Sequence, residues 1–272
     1  MDYTIRCDTH THTLFSRHAY STIEENVRAA KSQGLELLAS TDHYSSMLYH
    51  DFSDSRNYQY LSTAHEWPRE WMGVTLLNGC EADIVDLEGH LFGWDIEVSK
   101  TITGDDFKYG PETLLHHVTK KMDYVIASVH GKRFADGADR VQCTKAYLGA
   151  LDHHKVFILG HIGRSGLDVD VDEILLKAKS MHKLIEINEH TMDTDEEAIR
   201  RCRAIAIRCA ELNVPISVAT DAHISCKIGK FTRLPAFLSE IHFPESLIMS
   251  RDKAHFLTAL KQSGITDLTG LI

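Results

Sequence analysis

Leu184-Ile185-Glu186-Ile187, then Thr194-Asp195-Glu196-Glu197 at the head of a longer polar stretch, then Ile216-Ser217-Val218-Ala219, is the passage on which the fold turns. Behind Thr194 the residues Ala198, Cys202, Ile205, Cys209 and Leu212 recur at steps of four and three, the stripe of a helix lying on a sheet. Thr194-x-x-Glu197 reads as its capping box. The flanking apolar runs are too short for helices and read as strands. A strand, a helix and a strand in that succession imply parallel pairing through a right-handed crossover.

The alternation extends outward in both directions. Tyr3-Thr4-Ile5-Arg6-Cys7 reads as a first strand, Thr22-Ile23-Glu24-Glu25 caps a helix ending near Gly34, and Leu35 to Ser40 forms a second strand. Val74 to Leu77, Tyr124 to Ser128 and Val156 to Leu159 bring the strands to seven. Asp170-x-x-Glu173 caps another helix with Ile174, Leu175, Ala178 and Met181 on one face. No linker rich in Pro, Gly or Ser interrupts the series, so residues 1–272 are expected to form a single α/β domain. Two connections, about 44–73 and 86–121, exceed a simple loop, and residues 245–272 read as a final helix and a docked end.

Composition narrows the function. With 29 Lys+Arg against 39 Asp+Glu the formal charge is −10, and no basic run offsets it, which disfavours nucleic acid as a partner. The longest apolar runs are a few residues, as at Val125-Ile126-Ala127, far short of the roughly 20 a membrane span needs. Met1-Asp2-Tyr3-Thr4-Ile5-Arg6 lacks the pattern of a secretory signal, so a cytoplasmic location is expected. The six cysteines form no C-x-x-C pair and read as reduced, mostly buried thiols.

Histidine is the abundant chemistry, 18 residues in 272, and its placement is uneven. Asp8-Thr9-His10-Thr11-His12 follows the first strand, with His18 beyond it. Asp42-His43 follows the second. The remaining ends carry Glu81, His130, His161 and Asp221-Ala222-His223. In extended backbone His10 and His12 point to the same side. Six of the seven strands thus deliver donors to their C-terminal ends, which converge on one face in a parallel barrel. Nine nitrogen and carboxylate donors crowded without cations would be prohibitively costly to desolvate. Mixed histidine and carboxylate sets suit Zn, Mn or Fe.

These residues resemble the polymerase and histidinol phosphatase (PHP) family of metal-dependent phosphoesterases. The motifs Asp8-x-His10-x-His12, His18-Ala19-Tyr20-Ser21, Thr41-Asp42-His43, Glu81, His130, His161 and Asp221-x-His223 occur in the family's order from residue 5 to about 262. The branch it looks most like is a group of small single-domain bacterial phosphatases, which implies a distorted (β/α)7 TIM-like barrel and three divalent metal ions. The resemblance implies a first ion held by His10, His12, Glu81 and Asp221. Glu81 would bridge to a second held by His130 and His161, and His18, His43 and His223 would hold a third. Residues 90 to 118 look longer than in those phosphatases, and Ile162 stands where a proline often follows the fifth-strand histidine.

The implied reaction is hydrolysis of a small phosphorylated metabolite, a phosphate monoester, by metal-activated water at a trinuclear site. Asp8 is expected to orient a ligand histidine, and Asp221 to double as a proton relay. Arg164, Lys132 and Arg133, just past ligand-bearing strand ends, are candidates to bind phosphate. Glu189 is a candidate substrate contact. His116, His117, His153 and His154 read as surface residues. His50, His65, His90, His182, His190, His242 and His255 read as structural, with His50 and His65 placed to line an entrance. Three alternatives stay open: a phosphodiesterase or exonuclease, an amidohydrolase-like enzyme, and a non-catalytic metal-binding regulatory module.

Overall fold

In the computed structural model, which describes residues 3–272, the deciding passage forms the expected unit. Its strands are the last two of seven: β1 Cys7–Thr11, β2 Leu37–Ser40, β3 Val74–Asp83, β4 Tyr124–Ser128, β5 Val156–Leu159, β6 Leu184–Asn188 and β7 Ile216–Ala219. They pair in parallel in sequence order. At the top, β7 returns to β1: the His12 N–H donates to the Ala222 carbonyl and the Asp221 N–H to the His10 carbonyl, both at 2.9 Å. Lower down the seam splays. The Thr9 and Ser217 hydroxyls meet across it at 2.7 Å, and the segment around Ile248–Arg251 wedges in below, bonding to Val218 and Arg6. The barrel is therefore nearly closed, and distorted at this seam.

Six helices matter to the packing: α1 Ile23–Ser32, α2 Leu114–Thr119, α3 Arg140–Asp152, α4 Val171–Ser180, α5 Glu196–Leu212 and α6 Lys253–Gln262. The capping box at α1 is present in full, Thr22 and Glu25 each satisfying the other's backbone N–H. Thr22→Ala is expected to cost about 1 kcal/mol in urea unfolding. At α5 the cap is Asp195 rather than Thr194, its carboxylate accepting the Ala198 N–H at 2.8 Å. Thr194 instead bonds to the Thr191 carbonyl.

Inside the barrel, Leu37, Leu77, Tyr124, Ile126 and Phe157 pack on one another, and Phe256, Leu257 and Leu260 of α6 plug the bottom. The docked tail is thus part of the core. The 44–73 connection contributes Tyr58 and Leu61 to the outer core. The 86–121 excursion adds Leu91, Phe92 and Val98 around a two-stranded sheet of Glu97–Val98 with Glu112–Thr113. Five cysteines are buried and Cys226 is exposed, all unpaired.

Three strands differ by two residues or more from the sequence reading. β1 starts at Cys7 and carries His10 within it, because residues 8–11 find partners on β2 and at the β7 seam. β2 begins at Leu37 rather than Leu35. β3 runs ten residues instead of four, since its second half pairs with a short strand His43–Tyr44 on one side and β4 on the other. That extension lifts Glu81 and Asp83 to the top face. Among the described residues no helix is long and apolar enough to cross a membrane. Met1 and Asp2, the start of the stretch read for a signal, lie outside the described residues.

Candidate metal centre

β3 sends Glu81 into the middle of the top face, fully buried, and the histidines gather around its two oxygens. Oε2 lies 3.2 Å from His10 Nε2 and 3.6 Å from His12 Nε2. Asp221 Oδ1 lies 3.1 Å from His12 Nε2 and 3.7 Å from His10 Nε2. The two histidine nitrogens are 3.1 Å apart. Glu81 Oε1 faces the other way, 2.7 Å from His161 Nε2 and 3.3 Å from His130 Nε2. A third group forms above: the Nε2 atoms of His18, His43 and His223 lie 3.1 to 3.4 Å from one another. His43 joins the groups, its Nδ1 being 2.9 Å from Glu81 Oε2.

The neighbours of the rings decide which nitrogen is free. Glu186 Oε1 is 2.6 Å from His10 Nδ1, and Asp83 Oδ1 is 2.6 Å from His130 Nδ1. A carboxylate only accepts, so in both rings Nδ1 carries the proton and Nε2 faces its cluster. Ser16 Oγ donates to Asp42 at 2.6 Å and so accepts the His12 Nδ1–H at 2.9 Å. His223 Nδ1 donates to the Asp221 carbonyl at 3.0 Å.

Bare ring nitrogens turned on one another at such distances repel unless a positive charge sits between them. Glu81 Oε2 is buried and accepts no hydrogen bond. Tetrahedral N and O ligands at about 2.0–2.1 Å from an ion stand roughly 3.4 Å apart, close to the spacings here. The residues present fit transition-metal ions.

Electrostatics agree. Burial alone would raise Glu81, but His130, His10 and His43 hold its carboxyl well below the usual range, and His10 and His12 do the same for Asp221. Burial lowers His10, yet the charges of Glu186, Glu81 and Asp221 outweigh it and hold its imidazole well above the ordinary value. His130, also pulled down by burial, is pushed up to about 10 by Glu81 and Asp83. Burial and neighbouring rings keep His12 and His18 low, and burial with the Arg164 charge lowers His161. Burial brings His223 to about 4. Two of the clustered donors also sit in the left-handed region, His161 at φ 28° and Asp221 at φ 54°. Such strain concentrates at functional sites.

Asp8 does not orient a histidine. Its carboxylate accepts the Thr220 N–H and hydroxyl and the Gly229 N–H, tying β1 to the end of β7. A register break between Asp8 and Thr11 disturbs the alternation that would have put residues 8, 10 and 12 together. The orienting carboxylates are Glu186 and Asp83, with Asp42 acting through Ser16. The signal for Glu186 was a charged residue inside an otherwise apolar strand, Leu184-Ile185-Glu186-Ile187. Glu186→Gln is expected to weaken metal affinity about tenfold to hundredfold in a chelator-buffered titration.

Arg164 follows His161 on a short turn of helix, Ile162–Ser165, and its Nη1 donates to Asp221 Oδ2 at 2.6 Å. It lines a mouth of about 370 Å³ above the clusters with His18, His43, Met47, His130, His190, Asp221 and His223. Lys132 and Arg133 are exposed and do not line that mouth. Neither do His50 and His65: His50 is exposed, and His65 bonds to the Ser62 carbonyl and faces Glu66 and Lys121. His190, read as structural, does line it. Glu189 is no free substrate contact, since both oxygens accept from Thr232, Arg233 and Leu234. His117 and His153 are partly buried rather than at the surface, His117 against Glu112.

The chain and its fold have counterparts among known proteins. A protein of Clostridium botulinum named "Probable phosphatase" is 35% identical over 257 residues, covering 94% of this chain and 95% of that protein. Another so named, from Caldanaerobacter subterraneus, is 35% identical over 244 residues, covering 89% and 86%. The crystal structure of a putative histidinol phosphatase from Listeria monocytogenes shares the fold at 16% identity and a TM-score of 0.54, covering 84% of this chain and 99% of that one. The PHP domain model matches residues 8–213, a span holding seven of the nine clustered donors, and the chain belongs to the PHP domain family.

Proposed function

We propose that the protein is a metal-dependent phosphatase that hydrolyses a small phosphate monoester at a trinuclear site. The observation that carries this reading is the convergence of nine donors, most of them buried, into three groups that share Glu81 and His43. His10, His12, Glu81 and Asp221 would hold one ion, Glu81, His130 and His161 a second, and His18, His43 and His223 a third. Divalent ions bound there would neutralise phosphoryl oxygens and acidify water.

The chain's own side chains have separable tasks. Arg164 anchors one edge of its guanidinium on Asp221 and keeps further N–H groups for a phosphoryl oxygen at the mouth. Asn188 Nδ2, 3.3 Å from Asp221 Oδ2, holds that carboxylate from the other side. Asp221 thus presents Oδ1 to the first group and is kept ionised, ready to accept a proton released nearby. Among the described residues no hydroxyl, thiol or lysine lines the mouth, which favours water as the nucleophile over a covalent intermediate.

The test is steady-state hydrolysis of p-nitrophenyl phosphate and of bis-p-nitrophenyl phosphate by protein reconstituted with Zn, Mn or Fe. The monoester is expected to be favoured by at least about a hundredfold in kcat/KM, roughly 2.7 kcal/mol. Preference for the diester would overturn the reading.

A further inference from the structure

Beside the mouth lies a second cavity, about 400 Å³, which shares His190, Asp221 and His223 with it and continues away from the metal clusters. A phosphoryl group held at the clusters would direct the rest of the ester into this space. Its wall carries two lysines, Lys227 and Lys230, one turn apart: the Lys230 N–H bonds to the Lys227 carbonyl at 3.1 Å. The carboxylates nearby are already engaged. Glu189 accepts from Thr232, Arg233 and Leu234, and Asp221 serves the clusters, Arg164 and Asn188. Asp193 is divided between Lys227 at 3.6 Å and Arg233 at 3.5 Å. Among the described residues the Lys230 ammonium has no acceptor. Lys227 and Lys230 are exposed at that wall, and in a chain of formal charge −10 Lys230 is a cation without an acidic partner among the described residues, facing a cavity next to the clusters.

We propose that this cavity receives a leaving group bearing its own anion, a carboxylate or a second phosphate, so that the substrate is a phosphomonoester with at least two anionic groups. The proposal rests on the phosphatase reading for the orientation of the ester. Lys230 would meet the distal anion directly, and Lys227 would exchange its long contact with Asp193 for it, leaving Asp193 to Arg233.

The test uses non-hydrolysable phosphonates of matched length, titrated calorimetrically into the zinc-loaded protein. 3-Phosphonopropionate is expected to bind at least about tenfold tighter than propylphosphonate, with 3-aminopropylphosphonate weakest. Propane-1,3-diphosphonate identifies the anion: tighter binding than 3-phosphonopropionate assigns a second phosphate, weaker binding a carboxylate. In Lys227→Gln/Lys230→Gln the gap between 3-phosphonopropionate and propylphosphonate should shrink below about threefold. Equal affinities in the wild type, or a gap undiminished in the double variant, would overturn the proposal. Hydrolysis of p-nitrophenyl phosphate is scored separately. A protein that discriminates the phosphonates yet hydrolyses nothing defeats the phosphatase reading and leaves the anion subsite standing; one that hydrolyses without discriminating defeats the subsite alone.

Discussion

Glu81→Gln is expected to lower phosphatase kcat/KM by at least about a thousandfold, roughly 4 kcal/mol of transition-state stabilisation, and to reduce bound metal. The size of the effect follows from position. Glu81 is the one side chain with an oxygen in each of two groups, and Oε2 also sits beside His43 of the third. Glutamine keeps the volume but replaces an anionic oxygen with an amide that donates, so one group loses a ligand and receives a proton donor aimed at imidazole nitrogens. Because the site lies at the strand ends and the barrel core lies below it, the fold should survive. Circular dichroism and a thermal melt of the metal-free proteins separate loss of the site from loss of the fold. More than about a tenth of wild-type turnover at saturating metal would contradict a bridging role.

Metal uptake at pH 7 is expected to release about two protons per chain, one from each of two donor groups, and the apparent affinity of each of those two sites should fall by about tenfold for each pH unit lowered between pH 8 and 6. In the metal-free chain His10 and His130 are the clustered donors held protonated by surrounding carboxylates, His130 up to about 10. His12, His18, His161 and His223 are already neutral, and Glu81 and Asp221 already ionised, so they add no protons. Each displaced proton contributes about tenfold per pH unit. The same shift carries a sign for stability. His130 is raised on folding, so its contribution to the metal-free chain is complete below the unfolded value of about 6.5 and is lost as pH rises toward 10. Loaded protein should lack that loss. Calorimetry of metal binding in two buffers of different ionisation enthalpy counts the protons. Activity should decline below about pH 6 and recover in part with added metal. Uptake without proton release would contradict the arrangement around His10 and His130.

Much of this was legible because strand ends are punctuated. His10, His12, His43, His130, His161 and His223 each follow or end an apolar run, and a parallel barrel brings those ends together whatever the loops do. The orienting groups were harder to read. Glu186 and Asp83 lie inside strands, and which face a residue takes depends on register. The break between Asp8 and Thr11 is invisible in the sequence, and it sends Asp8 to Thr220 instead of to a histidine. Likewise His190 reaches the mouth, and the Lys227–Lys230 turn the neighbouring cavity, only through the packing of the loops after β6 and β7, which no periodicity describes.

The most direct test of the central claim is elemental analysis of the purified chain, before and after incubation with Zn, Mn or Fe, with the aryl phosphatase rate measured on each sample. Between two and three ions per chain, with the rate rising as the last ion loads, is the result expected from three donor groups sharing Glu81 and His43. Less than one ion per chain after incubation would contradict it.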